Sequence, residues 1–368
     1  MPRIQALQAS PIGRPHLLGL LSQQDDVASE QYAKSTQTLA DALDVRFTLT
    51  SCEPDRLKER IVQANGVRRR FSFFLLFSAK SKQNPRKHPD ANRQGIDPRA
   101  HKDPTIHGIL VYYPVFGKRD SGERNDRFLQ SLVRKDKDVE GLSPYHQHAF
   151  MTDAPYGEDI LLPCTPQAIL HVMRTPSFFF YLNPFIDGAL NLGRLPRREL
   201  IAGEGGSGDG DVLSAPRANR KVVLINRSDQ VGRPLAALLA RAGYIVEAFG
   251  LKEKETWAFD GMRFQRTLTP VTDVQHHTTA MQDAHAVITG VPDPAFSVPI
   301  DLIPRDALLV DFATPHRNID ADALDQRADY DGALVNRIGK LTSMMLMSNL
   351  VQCAETQWKA ITPVHTNT

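Results

Sequence analysis

The stretch from Lys221 to Phe249 constrains the fold of this chain more than any other. It opens with an apolar, β-branched run, Lys221-Val-Val-Leu-Ile-Asn226, of the kind expected in a strand buried on both faces. A polar loop, Arg227-Ser-Asp-Gln-Val-Gly232-Arg-Pro234, follows it. Next, Leu235, Leu238, Leu239 and Ala242 fall on one face at helical spacing. Pro234 suits a first helical turn, where its missing N–H has no intrahelical role, and Gly243 stands where a left-handed residue ends a helix. The apolar run Tyr244-Ile-Val-Glu-Ala-Phe249 comes at once. Strand, turn, helix, strand is a βαβ unit, and the turn before the helix is where such units bind dinucleotides. Of the three glycines in the usual fingerprint only Gly232 is present. The helix N-terminus is still expected to offer unpaired N–H groups to a pyrophosphate. On this local pattern alone, a βαβ unit that binds nothing stays open.

The rest of the chain sets bounds. Its 368 residues suggest two domains. A net charge of +2 gives no field favouring nucleic acid or a membrane surface. Cys52, Cys164 and Cys353 lie far apart with no metal-ligand spacing, which fits free thiols in a reducing compartment and no metal site. No apolar run approaches the roughly 20 residues of a membrane span. Arg3 and Arg14 precede the first acidic residue, Asp25, a trait shared with mitochondrial transit peptides. A strand beginning by His16 leaves little room for one, so a cytoplasmic location is expected.

In chain order, His16–Ser22 reads as a buried strand, Asp25–Ser29 as a capping turn and Gln31–Leu43 as a helix with Leu39 and Leu43 facing the core. Val45–Thr50 alternates like a second strand, and Leu57–Ala64 is a second helix. This is an α/β domain ahead of the nucleotide unit. Residues 67–104 break the pattern: Arg68-Arg-Arg, a greasy run Phe71–Phe77, then a basic tract without periodicity. That segment reads as a lineage-specific insertion or as retained intron sequence. His107–Gly117 reads as a strand ending in a proline turn, and Lys135–Leu142 as a charged turn. Residues 174–219 form a second irregular block containing the linker-like Gly203–Gly210. Ala284–Pro292 and Ala307–Thr314 read as strands ending in small-residue turns, and Thr342–Ile361 as a helix. Met1–Pro15 looks too short and irregular for a full helix.

Several of these stretches resemble one family, in its own order. Asn226-Arg227-Ser228-x-x-Val231-Gly232-x-Pro234 is similar to the cofactor loop Gly-Arg-Ser-x-x-Val-Gly-x-Pro of the methylenetetrahydrofolate dehydrogenase family. Asn for the leading Gly, with the run on through Leu235–Ala240, is most similar to the fungal monofunctional, NAD-dependent branch. Ala28-Ser29-x-x-Tyr32 resembles Ala-Ser-x-x-Tyr-x-x-x-Lys, but Thr36 stands at the Lys position, and Lys34 lies on a different part of the helix surface. His107–Gly117 resembles Gly-Ile-Leu-Val-Gln-Leu-Pro, with Tyr112 at the Gln position. Lys135-Asp-Lys-Asp138-Val-Glu140-Gly resembles Lys-Asp-Val-Asp-Gly at the folate pocket. Leu162-Pro-Cys164-Thr-Pro resembles the Pro-Cys-Thr-Pro signature between the domains, with Cys164 expected as a small buried thiol. Gly339-Lys-Leu-Thr342-x-x-Met-Leu resembles the fungal form of the last motif.

The resemblance implies an α/β protein: an N-terminal folate-binding lobe over residues 1–170, a Rossmann-type parallel-sheet domain over 171–341, and a C-terminal helix over 342–368 returning to the first lobe. It implies oxidation of 5,10-methylenetetrahydrofolate to the methenyl form by hydride transfer to NAD, in the one-carbon supply of purine biosynthesis. Tyr32, Thr36 and Tyr112 are expected to line the folate cleft. Either Asp138 or Glu140 is expected to accept hydrogen bonds from the pterin. Asn226, Arg227, Ser228, Val231 and Gly232 are expected to hold the dinucleotide, with Thr289, Gly290, Val291 and Thr314 beside its nicotinamide half. In relatives the missing Lys serves the cyclohydrolase step, so Thr36 implies that this second activity is absent. Near the ribose, Gly250-Leu251-Lys252 carries neither the acid of NAD enzymes nor the Ser of NADP-using relatives; NAD is favoured, while Arg227 and Lys252 leave NADP open. A homodimer joined through the nucleotide domain is expected, with no nucleic-acid or membrane partner. The other readings are a bifunctional NADP-dependent dehydrogenase/cyclohydrolase, a different NAD-linked oxidoreductase, and a degenerate non-catalytic relative.

Overall fold

The computed structural model describes residues 2–22, 27–66, 105–116, 120–174, 220–271, 276–336 and 338–361. The two irregular blocks read from the sequence, 67–104 and 174–219, lie outside the described residues apart from Arg174.

The described residues fold around two sheets. The first is parallel, in the order β2-β1-β3, built from His16–Ser22 (β1), Arg46–Cys52 (β2) and Gly108–Val111 (β3). Val27–Ala42 (α2) and Pro54–Ala64 (α3) provide its crossovers, α2 starting four residues earlier than the apolar spacing indicates. At the N-terminus Pro2–Gln8 forms a two-turn helix, α1, where the sequence looked irregular; burying Ile4 and Leu7 against the C-terminal helix is what orders it. Asp120–Leu132 (α4), Pro144–Met151 (α5) and Cys164–Arg174 (α6) complete this part of the chain.

The second sheet has seven strands in the order β10-β9-β8-β4-β5-β6-β7. Arg220–Ile225 (β4), Gly232–Arg241 (α7) and Tyr244–Phe249 (β5) are the βαβ unit expected from the sequence. Gly243 takes a φ of 92°, the left-handed conformation that stops α7. Glu253–Phe259 (β6) and Phe264–Pro270 (β7) form an antiparallel hairpin at one edge. On the other side, after the short helix His276–Met281 (α8), come Ala286–Thr289 (β8) and Leu308–Asp311 (β9). Ala321–Gln326 (α9) then leads to Leu334–Val335 (β10). Strands β10, β9, β8, β4 and β5 are all parallel, the Rossmann-type arrangement the sequence implied.

The long helix Gly339–Ile361 (α10) then runs back onto α1, α2, β3 and α6. Its first turn, with Leu341 and the preceding Ile338, belongs to the core beneath β4 and α7; Leu346, Leu350, Val351 and Ala354 complete the core of the first sheet.

Candidate functional site

In both sheets the strand order reverses at a point where ligands of open α/β folds bind, outside the carboxyl ends of the strands. In the first sheet β2 and β3 flank β1. The chain leaving β3 carries Tyr112 and Tyr113, and the second turn of α2 carries Tyr32. The Tyr32 and Tyr112 rings meet edge to face, centroids 5.5 Å apart at 84°. Thr36 is fully buried one turn on, its hydroxyl donating to the Tyr32 carbonyl at 2.9 Å. Thus Tyr32, Thr36 and Tyr112 do come together.

Residues 137–140 lie alongside β3 like a fragment of a further strand, Ile109 N–H donating to the Lys137 carbonyl at 2.8 Å. This placement separates the two acids. Asp138 is buried and its carboxylate accepts the Ser143 N–H at 2.7 Å. Glu140 reaches the end of β3, where its carboxyl accepts the Val111 N–H at 3.2 Å. Burial, and then the Asp138 carboxylate, push the Glu140 carboxyl well above the ordinary range. Burial likewise raises the phenols of Tyr32, near Cys164 and Glu140, and of Tyr113, near Glu140 and Asp138. It raises Tyr112 too. Among the described residues, the buried hydroxyls of Ser22, Tyr112, Tyr113 and Ser143 have no partner at hydrogen-bond distance. Such orphans are costly unless a ligand or water meets them. Cys164 is the buried thiol the sequence suggested: it donates to the Val139 carbonyl at 3.3 Å, and burial holds its thiol far from ionisation.

The second reversal falls between β4 and β8, whose exits carry Asn226–Gly232 and Gly290–Val291. Asn226, in place of the usual glycine, ties the two loops: its amide donates to the Gly290 carbonyl at 2.7 Å and its oxygen accepts the Ser228 N–H at 2.8 Å. Gly232 is obligatory, since a Cβ there would sit 1.9 Å from the Asn226 carbonyl oxygen. The Ser228 hydroxyl accepts the N–H groups of Val231 and Gly232 at 3.3 and 3.2 Å, and its carbonyl accepts that of Arg233 at 2.9 Å. The first turn of α7 is therefore not a set of unpaired donors; Ser228 already satisfies it, because a short polar side chain just before the helix is the nearest acceptor.

The Thr289 hydroxyl, buried, is bonded to the Asn318 side chain at 2.8 Å and braces the loop. Gly290 makes room for protein: the Phe312 ring would lie 2.1 Å from a Cβ there. The sequence reading missed Asn318, which also holds both backbone groups of Val291, at 2.8 and 3.0 Å. Asp311, also missed, is buried and accepts the N–H groups of Ala313, Asn318 and Ile319, shaping the loop that carries the exposed Thr314. Neither residue has a motif to betray it: Asn318 acts across 27 or more residues of sequence, and Asp311 by accepting backbone N–H groups of the turn that follows it.

Arg227 turns away from its loop. Its guanidinium bonds Glu253 at 2.8 Å and Glu255 at 3.1 Å, on β6. Glu255 is buried and also holds Arg233 at 2.8 Å and the Trp257 N–H at 3.2 Å. Burial alone would raise the Glu255 carboxyl, but Arg233, Trp257 and Arg227 outweigh it and hold it below the ordinary range. Arg127 on α4 reaches Asp229 of the same loop at 2.7 Å, linking the two halves of the molecule.

A tyrosine- and carboxylate-lined strand end in one sheet, with a glycine-dependent turn at the switch point of a parallel nucleotide-type sheet, defines the class: a two-sheet α/β protein of Rossmann type. No protein-family model matches the chain. Over 264 residues, 70% of this chain and 71% of the relative, it is 32% identical to the methylenetetrahydrofolate dehydrogenase (NAD(+)) of Dictyostelium discoideum. Over 349 residues, 92% of this chain and 85% of the relative, it is 28% identical to the enzyme of that name from Saccharomyces cerevisiae. The solved structure of the NAD-dependent 5,10-methylenetetrahydrofolate dehydrogenase from S. cerevisiae matches with a TM-score of 0.68 at 25% identity, covering 98% of this chain and 93% of that one. The chain belongs to the methylenetetrahydrofolate dehydrogenase family.

Proposed function

We propose that this protein oxidises 5,10-methylenetetrahydrofolate to the 5,10-methenyl form with NAD as acceptor, and that it lacks cyclohydrolase activity. The observation that carries this reading is the cluster of buried, unpartnered hydroxyls and a raised carboxyl around Tyr32, Tyr112 and Glu140, with Thr36 where a titrating amine would be needed for hydrolysis. NAD supplies the hydride acceptor when bound. The turn at Gly232, too tight for any side chain, and the switch point between β4 and β8 fit a dinucleotide. Ser228, at the mouth of that turn, and the Asn226–Gly290 bridge would hold it.

The chain's own part is placement. Loss of a hydride leaves a cation delocalised over two nitrogens, so no strong protein base is needed, and orientation carries most of the rate. Tyr32 and Tyr112 flank the folate. Of the two acids, Glu140 is the better pterin ligand, because it is only half-buried and holds the Val111 N–H at 3.2 Å, whereas Asp138 is buried and holds the Ser143 N–H at 2.7 Å. In its ionised form Glu140 accepts paired N–H groups.

An absorbance assay with methylenetetrahydrofolate and either nucleotide, read before and after acid, tests the proposal. NADH formation with accumulation of the acid-stable methenyl product is expected. Hydrolysis of methenyltetrahydrofolate above background would favour the bifunctional reading, and no reduction of either nucleotide by folded protein would favour a non-catalytic relative.

The division at 170 and 341, a cytoplasmic location, a role in purine synthesis and a homodimer belong to the same proposal. For the last, the edge strand β7 is exposed along nearly its whole length, with Leu268 55% exposed and Met262 beside it 77% exposed. No described helix is long and apolar enough to cross a membrane.

A further inference from the structure

In dinucleotide folds the acid that recognises the adenosine ribose stands at the end of the strand after the glycine turn. Here that strand is β5, and after Phe249 come Gly250, the fully exposed Leu251 and Lys252, with no carboxylate. The structure supplies one from the next strand. Gly250 N–H donates to the Glu253 carbonyl at 2.9 Å, closing a tight turn that brings the first residue of β6 back beside the end of β5. Arg227 occupies the same spot: a Cβ on Gly250 would lie 3.0 Å from its Nε. Both terminal nitrogens of Arg227 are pinned, one by Glu253 at 2.8 Å and the other by Glu255 at 3.1 Å.

We propose that Glu253 is the specificity residue for the adenosine half of the cofactor, presenting the carboxylate that the end of β5 lacks and occupying Arg227, which with Lys252 is a cation that a 2′-phosphate could use. The inference rests on the NAD reading above and gives it a mechanism. An unphosphorylated ribose finds an acceptor for its 2′-hydroxyl. A 2′-phosphate would have to displace Glu253 from Arg227 and lie near two carboxylates, one of them buried. Arg233 cannot replace Arg227, since it is bonded to Asp229 at 3.0 Å and to Glu255 at 2.8 Å. Arg266 is also near Glu255, at 3.6 Å, and stacks on Trp257 with its guanidinium carbon 3.9 Å from the ring centroid. Glu255 keeps Arg233 and Trp257 without any help from Glu253, so removing Glu253 frees one side of Arg227 without stranding a buried charge.

The test is Glu253→Gln and Glu253→Ser in the full chain. NAD and NADP affinities are measured by calorimetry without folate, and kcat/KM for both nucleotides with it. Glu253 is 40% exposed, so both variants should fold, which thermal melting checks. The expected result is a shift in the NADP-to-NAD affinity ratio of tenfold or more toward NADP, larger for Ser, with NADP binding weakened by added salt. An unchanged ratio in both folded variants overturns the inference. If the native protein binds neither nucleotide, the inference and the NAD reading fall together. If it discriminates between them through Glu253 yet oxidises no folate, the inference stands and the substrate reading alone falls.

Discussion

Glu140 stores a conflict between stability and binding that can be read at a single carboxyl. Burial and Asp138 raise its folded-state value above the roughly 4.3 of an unfolded glutamate. The folded chain therefore holds a proton that the unfolded chain has lost, and this group's contribution to stability falls as pH rises above about 4. Glu140→Gln removes that cost, so its melting temperature at pH 8 should exceed that of the native protein. Folate affinity should move the other way. In the native protein it should strengthen as pH rises and Glu140 ionises; in the variant it should be tenfold or more weaker and flat with pH, as titration calorimetry at several pH values would show. A variant that binds folate normally would move the pterin contact elsewhere. Gly232→Ala makes a sharper case, because the new Cβ would meet backbone, the Asn226 carbonyl, which cannot swing aside. Loss of NAD binding and about 1–3 kcal/mol of stability are expected in a denaturant titration. The choice between Asp138 and Glu140 was illegible in the sequence: the acids are two residues apart in one charged run, and the pairing of that run with β3 is what separates them.

Among the elements, those with a dense apolar stripe could be read directly. β1, β4, β5 and α7 announce themselves because burial on two faces, or on one helical face, leaves few polar residues to blur the period. The β6–β7 hairpin does not: Glu253-Lys-Glu-Thr-Trp-Ala-Phe carries its charges on a half-covered edge, where pairing with β5 decides the structure. α4 is as faint, with Leu129 as its buried apolar anchor and Phe128 49% exposed. Its contribution is Asp126, buried, which accepts the N–H groups of Val115 and Phe116 just beyond Tyr112 and Tyr113. Burial pushes this carboxyl up to about 6 against those bonds. Stability from this group is thus greatest below about 4, the unfolded value, and declines as pH rises through 6. Asp126→Asn keeps an acceptor and should flatten that part of the stability–pH curve. Asp126→Ala strands two buried N–H groups and should lower stability by about 1–3 kcal/mol, with KM for folate rising as the tyrosine loop loosens. Urea titrations across pH 4–7 and steady-state kinetics distinguish the two variants.

At the scale of the molecule, α10 makes one folding unit out of two sheets. Ile338 and Leu341 pack in the core beneath β4 and α7, together with Ala168–Met173 of α6. Farther along, Leu346, Leu350 and Val351 fill the core under β1 and β3. The Asn349 amide donates to the Val139 and Leu162 carbonyls at 2.8 and 3.0 Å, just before Glu140 and Cys164 in their segments. Leu350 is fully buried, so close to β3 that a Cβ on Gly108 would lie 2.7 Å from it. Leu350→Ala leaves a cavity in the first core and should cost about 2–5 kcal/mol. If the sheets were independent, that loss would detach the first while the second melted unchanged, giving two calorimetric transitions. Because one rigid helix is shared between the cores, a single transition should instead move down by about 4–10 °C. Trp257, buried in the second sheet, offers an independent probe. In a Trp358→Phe background its fluorescence should report the same midpoint as the heat capacity, although the substitution lies in the other core. Two transitions, or a Trp257 signal indifferent to Leu350→Ala, would mean that α10 rests on the first sheet without joining it to the second.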